Sequence, residues 1–402
     1  MKKITFIALL VLGATSAFAG DSPALKSILK AATYAEAESL LNSSLGQLAN
    51  DAEKAKAYNK LVDLAMQAYT KQSTILTENQ VAKQMGQKEK PIDTDLMYNS
   101  ALQAVKAAVE CDKYDQKPNE KGKISPKFSK ANATRVWPAR MQLVNAGQEA
   151  LSAKNNADAK KFWGAFVDSD AASLFAENDR TVQQPFFGQI ARFVGIFHYP
   201  DKEMEQALKY AEVAMKDTAE YEDALNLKLS ILGDDLKNRA DSLNYLENVK
   251  TMYAQNPNHA ALLERLYNLH NMLGDRATAI KVLDDALAVN PNNFVALADK
   301  GIALLNENPA QSAELLKKAA ELKSDNPLIL TYLGTALSLQ AQDIADKAKR
   351  NAIYTEAVNY FDKAKELDPD KNISNWGYNR YNAYYNLYGE NDPKTKAAEA
   401  EK

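Results

Sequence analysis

Apolar side chains recur three and four positions apart through nearly all of the chain beyond residue 19, the interval that gathers them on one face of an α-helix. Alternating runs of β-branched residues, which would mark strands, are missing. The pattern therefore predicts an all-α protein, with glycines and prolines falling mostly between the periodic segments, where helices end. Two of these breaks match. Asn256-Pro257-Asn258 and Asn290-Pro291-Asn292 place their prolines 34 residues apart, and self-similarity at such a period is the mark of a repeat architecture.

Between the two breaks, Leu263, Leu266, Tyr267 and His270 share one helical face, Leu273-Gly274-Asp275 makes a turn, and Ala279, Leu283 and Ala286 line a second helix. This skeleton resembles that of the tetratricopeptide repeat (TPR) family, W-x2-L-G-x2-Y followed by A-x3-F and P over 34 residues. Small side chains let two antiparallel helices approach, large ones fill the neighbouring holes, and a proline opens the next hairpin where its missing N–H costs nothing.

The skeleton extends in both directions. Downstream, Leu297, Gly301 and Leu304 lead to Ser312, Leu316 and Ala319; Leu330, Leu333 and Gly334 lead to Ala357, Phe361 and Ala364, with 11 extra residues inside that hairpin. Upstream, Leu143 and Gly147 lead to Ala159, Trp163 and Phe166, and Ala191 and Gly195 lead to Ala207, Ala211 and Ala214. Two weaker units pair Ala224, Leu227 and Ile231 with Ser242, Leu246 and Val249, and Leu61, Leu64 and Ala68 with Ala101, Val105 and Ala108 across a polar insertion at 70–96. The resemblance implies a right-handed superhelical solenoid of about seven TPR-like hairpins closed by a C-terminal capping helix. We divide the chain into an N-terminal helical region (20–115), a Lys-, Pro- and Gly-rich connector (116–136), a TPR array (137–370), and a capping helix with a charged tail (371–402) that is expected to fray beyond Pro393.

Residues 1–19 follow a different pattern: Lys2 and Lys3, an apolar run from Ile4 to Leu12, then Ala17-Phe18-Ala19. These are the parts of a cleavable secretory signal, so the protein is expected to be exported to the periplasm. No segment is apolar for long enough to span a bilayer. The single cysteine, Cys111, can form no internal disulfide and lies far from the cleavage site, where a lipid anchor would need it. The formal charge of −3 falls to −5 once Lys2 and Lys3 leave with the signal. Such a balance argues against nucleic acid as a partner.

Catalytic chemistry finds no candidate. HExxH, GxSxG, CxxC and Gly-rich phosphate loops are all absent from the sequence, and the histidines His198 and His270 sit on core faces of helices. No metal site, cofactor or enzymatic activity is expected. The resemblance instead implies binding: in TPR proteins the first helices of successive hairpins line a concave groove. Carried over, the groove residues are Glu264, Asn268 and Asn271, then Ile302, then Thr331, Thr335 and Ser338, with Leu225, Leu229, Leu232, Ala298 and Leu305 completing the stripe. Glu264 would repel a carboxylate, so a protein or peptide segment other than an acidic C-terminus is the expected ligand. A second candidate surface is the aromatic cluster Trp376, Tyr378, Tyr381 and Tyr385 with its neighbours Tyr384 and Tyr388, whose ring faces could stack on a glycan. The expected function is a non-enzymatic scaffold in cell-envelope assembly or maintenance, with a glycan-binding accessory protein as the alternative.

Overall fold

The computed structural model describes residues 20–402 apart from Glu120, Asp235 and Asn258; the signal expected over residues 1–19 lies outside the described residues. Every regular element among them is helical, and the chain divides into two compact units that meet between Ile231 and Leu232.

The first unit holds α1 (Pro23–Lys30), α2 (Tyr34–Ser44), α3 (Asp51–Gln84), α4 (Thr94–Asp115), α5 (Ser129–Ser152), α6 (Asn156–Asp170), α7 (Gln184–His198) and α8 (Met204–Ala214). Helix starts are set by side chains that accept the orphan N–H groups of the first turn: Asn50 from Glu53 (3.0 Å), Asp93 from Leu96 (2.8 Å) and Asn155 from Asp158 (3.1 Å). The hairpins then close on small residues. Ala101, Ala104 and Ala108 of α4 are buried against a core that includes Ala57, Leu61 and Ala65 of α3, and each large side chain withdrawn from water there contributes about 1.5–3 kcal/mol.

The structure decides one feature that the sequence leaves open in this unit and shortens another. The insertion at 70–96 is mostly helix: α3 continues to Gln84, and the returning chain is held by Asn79, which donates to the Lys90 carbonyl (2.8 Å) and accepts from the Lys90 N–H (2.7 Å), and by Gln72, which accepts from the Asp93 N–H (3.0 Å). The connector is also shorter than 116–136, because α5 begins at Ser129. The Asp115 carboxylate at the end of α4 accepts from the N–H groups of Lys127 (2.9 Å), Phe128 (2.7 Å) and Ser129 (2.9 Å), so it starts the next helix across what composition presents as a loop.

Arg140 ties α5 to α6 from within. It is wholly buried, its guanidinium carbon lies 4.2 Å from the Phe166 ring centre and 4.8 Å from that of Trp137, and it donates to Ser169 Oγ (2.9 Å), Gln183 Oε1 (2.6 Å), the Phe166 carbonyl (2.9 Å) and Asp170 Oδ1 (3.2 Å). Burial pulls the group down to about 10 against the opposing pull of Asp170, which leaves it charged near neutrality, and the surrounding acceptors meet the cost of desolvation.

The unit boundary falls inside α9 (Tyr221–Asp234), so the fourth pair, one of the two weakest by sequence, has its helices assigned to different units. The second unit continues with α10 (Arg239–Gln255), α11 (Ala260–Met272), α12 (Arg276–Val289), α13 (Phe294–Ala303), α14 (Pro309–Leu322), α15 (Pro327–Gln342), α16 (Lys347–Leu367), α17 (Gly377–Tyr388) and α18 (Pro393–Glu399). The Asn and Pro punctuation has a direct structural use. Asn293, Asn308 and Asn326 cap α13, α14 and α15, and Pro309 and Pro327 stand at the first positions of their helices. Gly334 shows why the skeleton wants no side chain at its glycine: a Cβ there would lie 2.8–3.0 Å from the buried Phe361 ring of α16. The α11–α12 pair shares a core cluster of Leu263, Leu283, Ala286 and Ala296, and Tyr267, in a slot that usually takes a small residue, stays at its margin.

The tail does not fray. Residues beyond Pro393 form α18, which buries Thr395 and Ala398, because Glu401 finds partners on the preceding helices.

Candidate functional site

The predicted stripe is not a uniform surface. On α11, Glu264 and Asn268 are exposed and Asn271 is half-buried. On α13, Ala298 is buried, and Ile302 is half-buried against the core that runs into α14 and α15. On α15, Thr331 is buried and shares a hydrogen bond with Ser374 Oγ (3.1 Å), Thr335 donates to the Thr331 carbonyl (2.8 Å) and accepts from Asn379 Nδ2 of α17 (3.1 Å), and Ser338 donates to the Gly334 carbonyl (2.8 Å). Leu225 and Leu229 are buried as well. Thr331 and Thr335 therefore face the next helical layer, and Glu264 and Asn268 are the stripe members that are fully exposed.

A residue absent from the predicted stripe joins them. Asp299 stands one position after Ala298 in the otherwise largely apolar FVALADKGIA of α13, and its Oδ2 is buried without a hydrogen-bond partner. Burial, reinforced by the charge of Glu264, pushes its carboxyl up to about 7. An acid within an apolar helix was the available signal, but the period alone assigns it no neighbour. Glu264 and Asp299 make this seat acidic, and Asn268 beside it offers both a donor and an acceptor.

The aromatic cluster separates into two groups. Trp376 is not a surface residue: it is 2% exposed, its Nε1 donates to the Asp368 carbonyl (2.8 Å), and the Lys371 ammonium lies 4.9 Å from its ring centre. Its position at the start of α17, ahead of a segment that must cover the last hairpin, puts it in the core. Tyr384 is buried too, bonded to Asp362 Oδ2 (2.7 Å). Tyr381 is half-buried under the Lys402 ammonium (3.9 Å from the ring centre) and lies 6.0 Å from the Tyr385 ring. Tyr378, Tyr385 and Tyr388 remain exposed, Tyr378 most of all at 59%.

Elsewhere the reactive side chains are engaged in structure. Cys111 is buried with its Sγ 3.3 Å from the Ala55 carbonyl, and burial, with Asp115 and Asp112 behind it, pushes the thiol up to about 12, far from a nucleophilic thiolate. His198 stacks on Tyr210 (5.2 Å between centres) and bonds Glu203 (2.6 Å), while His270 is buried 3.6 Å from Asp275. Among the described residues no cluster of three His, Cys, Asp or Glu could hold a metal ion, and no helix is long and apolar enough to cross a membrane. The first unit carries an open cleft of about 590 Å³ among α4, α5 and the turn at Ser173–Phe175, where Asp112 is bonded to Ser173 (2.6 Å).

No family model and no curated protein matches the chain. Solved structures do resemble it. MamA is 18% identical over 46% of this chain and 94% of its own, with a TM-score of 0.30. A tetratricopeptide repeat protein from Parabacteroides merdae is 13% identical over 64% of this chain and 96% of its own, with a TM-score of 0.34, and a TPR repeats protein from Bacteroides fragilis is 16% identical over 65% and 98%, with a TM-score of 0.24. At such TM-scores the likeness carries no weight of its own; the chain's own geometry shows helical hairpins in tandem.

Proposed function

We propose that the protein is a non-enzymatic, exported scaffold that binds a segment of another protein along the exposed face of α11, in assembly or maintenance of the cell envelope. The observation that carries this is the contrast along the stripe: flanking positions are buried or half-buried, whereas Glu264 and Asn268 are exposed, with Glu264 close enough to Asp299 for their charges to interact. Polar side chains on a first helix, with carboxylates on two neighbouring elements, suit a neutral or basic segment and disfavour an acidic one. The leader pattern at residues 1–19 supports export.

A photo-crosslinking residue placed at position 268 in the full chain, expressed in its native cell, tests this. We expect an adduct of defined mass from position 268, a loss of at least tenfold when Glu264→Arg is added, and no such adduct from position 281 on the outer side of α12, where Lys281 is exposed. Equal adducts at 268 and 281, or none at 268, would show that the α11 face is not the binding face. Cell fractionation in the same experiment locates the protein.

The exposed rings of Tyr378 and Tyr385 favour a second reading, glycan binding, although the burial of Trp376 removes the largest ring from that surface. Titration with oligosaccharides, followed by the ring resonances of these two tyrosines, separates the two; unmoved resonances across a broad panel eliminate the glycan.

A further inference from the structure

Residues 393–402 lie against α16 and α17 in the manner of a bound peptide. The Glu401 carboxylate is gripped at both oxygens, by Lys365 Nζ (2.5 Å) and Arg380 Nη1 (2.8 Å), and Lys371 Nζ donates to the Glu401 carbonyl (2.5 Å). Arg380 is itself held in place by Asp362 (2.7 Å to Nε). Beneath lies the buried Trp376 ring, flanked by the Lys371 and Lys365 ammonium groups at 4.9 and 6.0 Å. Gly377 completes the seat: a Cβ there would overlap the Glu401 carbonyl oxygen and meet the Lys402 carbonyl carbon at 3.0 Å, so the tail backbone can settle only because this position has no side chain.

The hold on this segment is of a releasable kind. A helix of seven residues is too short to persist alone, α18 buries only Thr395 and Ala398, and the Lys365–Glu401 pair keeps 36% exposure on each side chain, so salt and competing charges weaken it. The receptor, by contrast, is built on α16, α17 and the turn between them, where Asp362 holds Arg380 and the Asp368 carbonyl holds Trp376 independently of the segment, and it combines three cations with a buried indole.

We propose that residues 393–402 are a resident ligand: the α16–α17 face is a binding site for a short helical segment followed by an acidic side chain, filled in cis by this segment and opened to a partner segment of the same chemistry when it is displaced. This site is separate from the α11 face and stands or falls independently of it.

Two variants of the full chain, Glu401→Lys and Gly377→Ala, followed by hydrogen exchange and by binding of a fluorescent peptide spanning residues 389–402, provide the test. In both variants the amides of residues 394–401 should exchange at least tenfold faster than in the wild type, while those of α15 and α16 stay unchanged. The peptide should bind Glu401→Lys at least tenfold more tightly than wild type, because the seat is vacated but intact, and should gain nothing with Gly377→Ala, whose added methyl blocks the seat. A peptide carrying lysine in place of its glutamate at 401 should lose at least tenfold. Unchanged tail exchange in both variants overturns the proposal, as does an opened Glu401→Lys chain that takes up no peptide. Faster exchange throughout α15 and α16 would make the tail a structural cap and overturn it equally.

Discussion

Arg140 in the first unit and Arg380 in the second are built from the same parts to opposite ends. Each lays its guanidinium on aromatic rings, Phe166 and Trp137 for one and Tyr384 for the other, and each meets carboxylates, Asp170 in the first case and Asp362 and Glu401 in the second. They differ in access to water. Arg140 has none, and its donors go to a carbonyl, a hydroxyl and an amide oxygen within the core. Arg380 sits at the edge, where one of its two carboxylates belongs to a segment that can leave. Similar chemistry thus serves as a lock where the cluster is enclosed and as a clasp where the arginine is buried but its partner carboxylates stay more than a third exposed.

Removing each arginine should break that comparison most directly. Arg140→Ala leaves Gln183 Oε1 without its donor and Asp170 without its buried cation, and should cost about 3–5 kcal/mol in denaturant unfolding; a loss under about 1 kcal/mol would mean that water or neighbours fill the gap and that the lock is illusory. Asp299 sharpens the same contrast, being a charge site with a carboxylate rather than a cation beside it. Its folded-state pKa of about 7 lies above the roughly 3.9 of an unfolded chain, so folding favours the protonated form. That contribution is complete below about pH 4 and is lost as pH rises through about 7. Asp299→Asn should therefore stabilise the protein by about 1–3 kcal/mol at pH 8 and leave it unchanged at pH 4, and equal effects at the two pH values would show that Asp299 titrates normally. Arg380→Ala should cost only about 1 kcal/mol or less, since its pairs are partly exposed, and its effect should shrink in 1 M salt, whereas that of Arg140→Ala should not. The smallest change is Arg380→Lys, expected to stay within about 0.5 kcal/mol, while a lysine at 140 cannot reproduce the fork of donors.

The hairpins, their glycine and proline punctuation and the 34-residue interval were all legible in the sequence, because helical period and helix caps are local properties, settled within a turn or two of chain. So was the lengthening between Leu337 and Ala357, which α15 and α16 take up as extra helix. Of the candidate site, the exposure of Glu264 and Asn268 agrees with their place beside the packing face. The remainder depended on partners remote in sequence. Thr331 and Trp376 have surface-like or ambiguous settings by period, yet Ser374 and Asp368 draw both inside. Asp115 turns an apparent connector into a helix start, Arg140 finds acceptors 26 to 43 residues away, and Glu401 gathers a charged tail onto cations 21 to 36 residues upstream. A repeat unit announces itself because every copy must solve the same short-range packing problem; which polar groups are desolvated together is decided only when the copies and their ends are brought into contact.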